Sequence, residues 1–164
     1  APSGPFSIRA VPRKGTGKAW TTGFHVENSQ GEMLQYVQSG QSIRLVFAYE
    51  CRANALEQPL NVGFGVHGAF DECLFVLYAS QLGQTLRVQQ TSGTFVCTLP
   101  RLPLNPGRYG VIPRIEICGT EADFPQAPVG FIEVVDGDFY GSRQRTNSLG
   151  AGPFLVDGDW VVEA

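Results

Sequence analysis

The sequence predicts an all-β fold, a sandwich or barrel of short antiparallel strands. Three observations carry this. Extended β-branched and aromatic runs recur at 22–27, 33–37, 42–51, 61–67, 73–79, 85–89, 94–99, 108–118, 129–135, 154–156 and 160–162, with turn residues between them. The chain holds 20 Gly and 11 Pro, and its best helical candidate, 54–58, is cut by Pro59 and reads as loop. The third is the run Leu99-Pro100-Arg101-Leu102-Pro103-Leu104-Asn105-Pro106-Gly107. Its prolines cannot extend a ladder, its Pro-Gly step reverses the chain, and Arg108-Tyr109-Gly110-Val111 opens a new strand. The run reads as a stiff corner between two antiparallel strands.

Individual elements follow from alternation. In 42–51, Ile43, Leu45, Phe47 and Tyr49 fall on one side, and Arg44, Val46, Ala48 and Glu50 on the other. In 61–67, Val62, Phe64 and Val66 face the core, leaving Asn61, Gly63, Gly65 and His67 outward. Val111 and Ile115 are assigned to the core on the same ground. Glycines inside a strand mark either relief of crowding or the close approach of a ligand, and both readings stand.

At 164 residues and 43% hydrophobic, the chain is long enough for one domain with a real core. Residues 1–19 are rich in Pro, Gly and basic residues and read as a linker with a candidate edge strand at 6–11; the sandwich domain is expected over 20–164. No apolar run approaches the ~20 residues that cross a bilayer. The first residues lack the charged start and apolar core of a signal peptide, and the absence of an initiator Met suggests a piece of something longer.

Composition narrows function mainly by exclusion. A net charge of −3 gives no electrostatic footprint for nucleic acid. Arg13-Lys14-Gly15-Thr16-Gly17-Lys18 lacks the first Gly and final Ser or Thr of a phosphate loop and reads as a solvated basic linker. Asp136-Gly137-Asp138 and Asp157-Gly158-Asp159 offer too few oxygens for calcium and read as turns, so no metal or other cofactor is expected. His25 and His67 have no partner nearby in sequence, and no serine stands in a nucleophile elbow. Glu50, Glu116, Asp123 and Glu133 are the acids from which a glycosidase pair would come. Solvated strand faces account for them equally, and no enzyme is expected.

Cys51, Cys73, Cys97 and Cys118 are widely spaced, each within a predicted strand, and none has zinc-ribbon spacing. Their even number admits two disulfides. Free thiols in a reducing compartment account for the same positions and are expected.

Several segments resemble the C-terminal polysaccharide-binding domain of the Wzt-type ABC transporters that export O-antigen. Gly40-Gln41-Ser42-Ile43-Arg44-Leu45-Val46-Phe47-Ala48-Tyr49 is similar to one strand of that family, and Pro59-Leu60-Asn61-Val62-Gly63-Phe64-Gly65-Val66 to the next. Leu102-Pro103-Leu104-Asn105-Pro106-Gly107-Arg108-Tyr109 resembles its most recognisable run; Gly137-Asp138-Phe139-Tyr140-Gly141 and Trp160 resemble its closing segment. The resemblance spans about residues 22–162. It implies an immunoglobulin-like antiparallel β-sandwich, jelly-roll-like in outline, that binds lipid-linked O-polysaccharide without cutting it. It further implies a homodimer by exchange of the terminal strand, and a preceding ATPase domain coupled to a membrane subunit at the cytoplasmic side of the inner membrane. A binding domain attached to a glycan-modifying enzyme, and a purely structural dimerisation domain, are the alternatives.

For a sugar ligand, the outward polar residues Arg44, Glu50, Asn61, His67, Arg114 and Glu116 are expected to cluster on one exposed sheet face. Gly63 and Gly65 would let the ligand lie close, and Tyr78 would stack on a ring. The exchanged strand is expected over Leu155 to Val162, with Gly150-Ala151-Gly152 as hinge.

Overall fold

The structure, a computed structural model, describes residues 11–144 and 152–164. It is the expected β-sandwich. One layer is a four-stranded antiparallel sheet in the order β3 (Met33–Leu34), β2 (Ala19–Glu27), β5 (Ile43–Cys51), β8 (Ser92–Leu99). The other has seven strands gathered about β9 (Gly107–Ile117). On one edge of β9 lie β6 (Leu60–His67) and then β7 (Cys73–Tyr78). The opposite edge forks: its C-terminal half pairs with β10 (Thr120–Pro125) and then β1 (Arg13–Lys14), its N-terminal half with β11 (Gly130–Val135) and then β4 (Val37–Gln38). The β11–β4 pair is parallel; the other ladders are antiparallel.

The core follows the period-2 pattern. Ile43, Leu45, Phe47 and Tyr49 of β5 are buried between the layers, with Phe64, Val66, Val111 and Ile115 opposite, while Val62 is partly buried against them. Rings cross the interior in a row: Phe24–Phe47 at 5.1 Å, Phe47–Phe64 at 5.6 Å and Phe64–Phe75 at 6.5 Å between centroids.

The proline-rich corner differs from its sequence reading. It joins strands of different sheets, so β8 and β9 do not pair; it carries the chain across the sandwich. Leu102 and Leu104 are fully buried in the crossing. The Tyr109 hydroxyl donates to the Asn105 carbonyl at 2.7 Å, the tyrosine-corner arrangement of immunoglobulin-like sandwiches. The Ser39 hydroxyl donates to the Leu104 carbonyl at 2.6 Å, and the Asn105 and Leu155 amides donate to Pro153 and Pro103.

A second tie joins the layers near β1. Asp123 of β10 is 2% exposed, and its Oδ2 accepts from both the amide and the hydroxyl of Thr21 on β2, at 2.9 and 3.2 Å. Arg13 stands 3.4 Å from the same oxygen and donates to the Thr21 carbonyl. The backbone of the segment 13–18 is thus tied along the edge of β10, with the Thr16 and Gly17 amides donating to Glu121 and Ala122, while Lys14, Thr16 and Lys18 stay exposed; a side chain at Gly15 would collide with the Ala122 backbone. Apart from Val11, the candidate strand at 6–11 lies outside the described residues.

Other expectations are adjusted. The run 33–37 divides into two short strands of different sheets, and 85–89 is reduced to one bridge between Leu86 and Leu60. β10 was not among the predicted strands. Its hairpin with β9 turns on Cys118 and Gly119, both at positive φ (50° and 78°), so Cys118 sits in a turn and not in a strand. Phe154 makes a single bridge to Leu104, Leu155 and Asp157 stay tied to the domain, and Trp160, Val161 and Val162 beyond them are exposed.

Two outcomes follow. Leu104→Ala leaves a cavity under the crossing and costs about 2–5 kcal/mol in urea unfolding, with the denaturant slope unchanged. Burial raises the Asp123 carboxyl above its ordinary value, and the Thr21 hydrogen bonds and the Arg13 charge offset this only in part. The folded protein thus holds that proton more tightly than the unfolded chain. The stability contributed by this group is full below the ordinary carboxylate range and falls as pH rises through the folded value. Urea melts of wild type and Asp123→Asn across that range show the fall in wild type alone.

Candidate functional site

On the outer face of the seven-stranded sheet, the strand register lines up residues far apart in sequence. Gly63 of β6 stands opposite Arg114 of β9 on one side and Tyr78 of β7 on the other. Asn61 is paired with Glu116 in the adjacent row, and Glu116 with Glu121 of β10. Arg114 sits amid these groups. Its Nε lies 2.9 Å from Glu121 Oε1, in ion-pair rather than linear hydrogen-bond geometry, and its Nη2 lies 3.5 Å from Glu116 Oε1. The guanidinium lies over the Phe124 ring at 4.9 Å, close to the Tyr78 hydroxyl. Burial works to lower the Arg114 pKa, but the nearby Tyr78 hydroxyl and the two carboxylates outweigh it and hold it above its ordinary value.

Five of the seven predicted site residues share this face: Asn61, His67, Tyr78, Arg114 and Glu116. Arg44 and Glu50 do not. Both are on β5, and they point outward from the opposite sheet, where Arg44 pairs with Glu27 at 3.4 Å and Glu50 is in register with Trp20. Outward alternation was right strand by strand, but alternation cannot say which sheet a strand joins. On that face His25 also has a partner, Glu27 at 2.8 Å.

The glycines differ from expectation too. A Cβ at Gly63 would stand 2.2 Å from the Tyr78 ring, and one at Gly65 would meet the His67 ring at 3.1 Å and Val76 at 3.5 Å. Bare backbone at these positions is a bed for the protein's own rings, with Tyr78 lying across the glycine opposite it. Asn61 accepts from the Ser80 amide at 3.0 Å, and the His67 ring bonds the Asp71 carbonyl at 3.2 Å. Glu121 and Phe124 join the cluster without having been foreseen; the Cys-Gly pair after β9 was the local signal for the hairpin that delivers them.

Of the acids considered for catalysis, Asp123 is buried between the layers, Glu116 and Glu133 pair with arginines, and Glu50 is on the other sheet. The Arg114 guanidinium contacts both Glu116 and Glu121. Asp138 accepts from the Arg143 amide and Asp157 pairs with Arg101, so both Asp-Gly-Asp segments do turn and ion-pair work. All four cysteines are unpaired; burial pushes the Cys51 and Cys97 thiols up, which keeps them unreactive. A shallow cleft of about 460 Å³ opens beside β8, lined by Tyr49, Val88, Gln90, Thr94, Phe95 and Val96, and holds none of the predicted residues.

Across 98% of its length the chain superposes on a crystal structure of the C-terminal domain of Wzt, with a TM-score of 0.71, 13% identity and 93% of that chain covered. The fold is that of the Wzt C-terminal domain. A Pseudomonas fluorescens alkylpurine DNA glycosylase, AlkC, bound to DNA aligns with 72% of this chain and 30% of its own at 13% identity, with a TM-score of 0.44, too low to establish a shared fold. No family model matches the chain, and no curated protein matches it in sequence.

The Tyr78 bed gives a direct test. Gly63→Ala drives a methyl into the ring and costs about 1–3 kcal/mol in thermal or urea unfolding. In a Tyr78→Ala background the same substitution costs less, because the ring is gone while the Leu77 carbonyl at 2.8 Å still opposes it.

Proposed function

We propose that this chain is a non-catalytic polysaccharide-binding domain that recognises lipid-linked O-antigen polysaccharide for export by an ABC transporter. The observation that carries the reading is the face just described, on a fold shared with the Wzt C-terminal domain. It offers guanidinium, carboxylate, amide and phenol groups at the surface of a rigid sheet, mutually paired and so held in fixed directions. Hydroxyl-rich ligands need donors and acceptors set in that way, and a flat open face suits a polymer better than an enclosed pocket.

The partners follow the same reading: the glycan itself, a membrane subunit reached through an ATPase domain, and a second copy of the chain. The site of action is the cytoplasmic side of the inner membrane, to which four unpaired thiols are suited. Among the described residues no helix is long and apolar enough to cross a membrane.

The second copy is supported by the terminal segment. Leu155 bonds Pro103 of its own chain and Asp157 pairs with Arg101 at 2.5 Å, so the expected exchanged strand begins later than Leu155. Beyond that anchor Trp160 is 98% exposed and Val162 fully so. These apolar residues have no cover among the described residues, and a neighbouring sheet edge would supply it. The hinge residues Gly150 and Ala151 lie outside the described residues; Gly152 has φ 72°.

Titration of the source organism's delipidated surface polysaccharide tests the reading. Glu116→Gln should weaken binding by roughly tenfold or more, the scale of a lost charge-assisted hydrogen bond. Arg44→Ala, on the opposite sheet, should leave it unchanged. Equal binding by both variants and wild type would remove this face from recognition. Light scattering on the full chain and on a chain ending at Val156 should give dimer and monomer; a dimer in both would exclude the tail from the interface.

A further inference from the structure

Three arginines of this protein lie on phenylalanine rings with a carboxylate alongside: Arg101 on Phe139 with Asp157, Arg108 on Phe131 with Glu133, and Arg114 on Phe124 with Glu121. The motif recurs, but its hydrogen-bonding capacity is used very differently. Arg101 bonds the Phe139 carbonyl through Nε and Nη2 and Asp157 through Nη1, fastening the tail. Arg114 is held by Tyr78, Glu116 and Glu121, fastening β10 to β9. Arg108 meets Glu133 at Nε, at 3.1 Å, with its guanidinium 3.9 Å above the Phe131 ring. A guanidinium has five N–H donors, and beyond this ion pair no hydrogen bond ties the Arg108 head to the rest of the described residues. Its side chain is 60% exposed and that of Glu133 is 42% exposed.

A surface arginine needs no ligand to satisfy it, since water does so. What sets Arg108 apart is that its orientation is already fixed, by a ring beneath and a carboxylate beside it, while no further hydrogen bond ties its head to the described residues. Little side-chain freedom is left to lose on binding. The pair is electrically balanced and offers donors and acceptors side by side. That matches a neutral vicinal diol, in which each hydroxyl both gives and takes a hydrogen bond, better than it matches an anion.

Its position gives the geometry. Arg108 and Arg114 are on the same strand with side chains on the same face, six residues apart, or about 20 Å at strand spacing. Between them the strand carries Ile112 and Gly110, with the Pro128 ring lying over Gly110 and His67 of β6 in register beside it. We propose that Arg108, Glu133 and Phe131 form a second sugar subsite, which grips a diol of the same neutral polysaccharide chain that reaches the Arg114 cluster. The domain then reads an extended stretch of polymer along β9, several rings long. This rests on the polysaccharide reading above.

The test is calorimetric titration of the full chain with the source organism's delipidated surface polysaccharide, cut by partial hydrolysis and separated by size. Wild type should bind long fragments at least tenfold more tightly than fragments of one or two rings. Arg108→Ala should abolish that gain while leaving the thermal melt unchanged, as befits a side chain on the rim. Arg108→Lys keeps the charge and loses the fork, and should not restore the gain. A gain with length that survives in Arg108→Ala would overturn the subsite and leave the polysaccharide reading standing. Full rescue by Lys would overturn the diol assignment in favour of a simple charge contact. Failure of wild type to bind any fragment would overturn both readings.

Discussion

The crossing between β8 and β9 is the constraint on which the rest of the molecule depends. The chain must leave the edge of one sheet and enter the centre of the other within a few residues. Prolines stiffen the path, Leu102 and Leu104 fill the space beneath it, and Tyr109 hooks the new strand to Asn105. Backbone groups that prolines leave unpaired are met by Gly40, Gln41, Pro153 and Leu155, elements from both ends of the domain. Once β9 enters at this angle, its even-numbered residues lie on the outer face, Gly110 being covered there by the Pro128 ring. Every polar group on the candidate face takes its place from that one alignment.

The same strand explains how so much charge is held on a sheet surface without instability. Exposed ion pairs contribute little by themselves. Here each arginine also lies on a ring, and the ring and carboxylate come from neighbouring strands, so the side chain is packed as well as paired. The result is a polar surface with the order of a core. A hydroxyl-rich polymer would meet groups whose directions are already fixed.

Much of this was legible in the sequence, and the limits are physical. Period-2 alternation placed Ile43, Leu45, Phe47, Phe64, Val111 and Ile115 in the interior, because a half-buried strand permits no other pattern. Alternation is blind to which sheet a strand joins, so Arg44 and Glu50 were grouped with residues on the far side of the sandwich. Strand β10 was hidden because Glu121, Ala122 and Asp123 at its centre are poor β-formers, and its pairing with β9 and β1 holds it extended. Gly63 and Gly65 signalled a close approach, and one occurs; the approaching groups are Tyr78 and His67 rather than a ligand. The second arginine clamp was missed because its partners are contributed by β11, twenty and more residues downstream.

The forked edge of β9 has a consequence for how such a domain diversifies. Strands β10 and β11 both pair with β9 but not with each other, and residues 126–129 bridge the gap between them. One branch carries the buried Asp123 tie and the ring beneath Arg114; the other carries the ring and carboxylate beside Arg108. Substitution of Phe131 or Glu133, which face outward on the second branch, leaves the hydrogen bonds between Asp123 and Thr21 untouched. Half of the face is bound to the stability of the sandwich, and half is free to drift, so a lineage can change the polymer it holds without having to refold the scaffold.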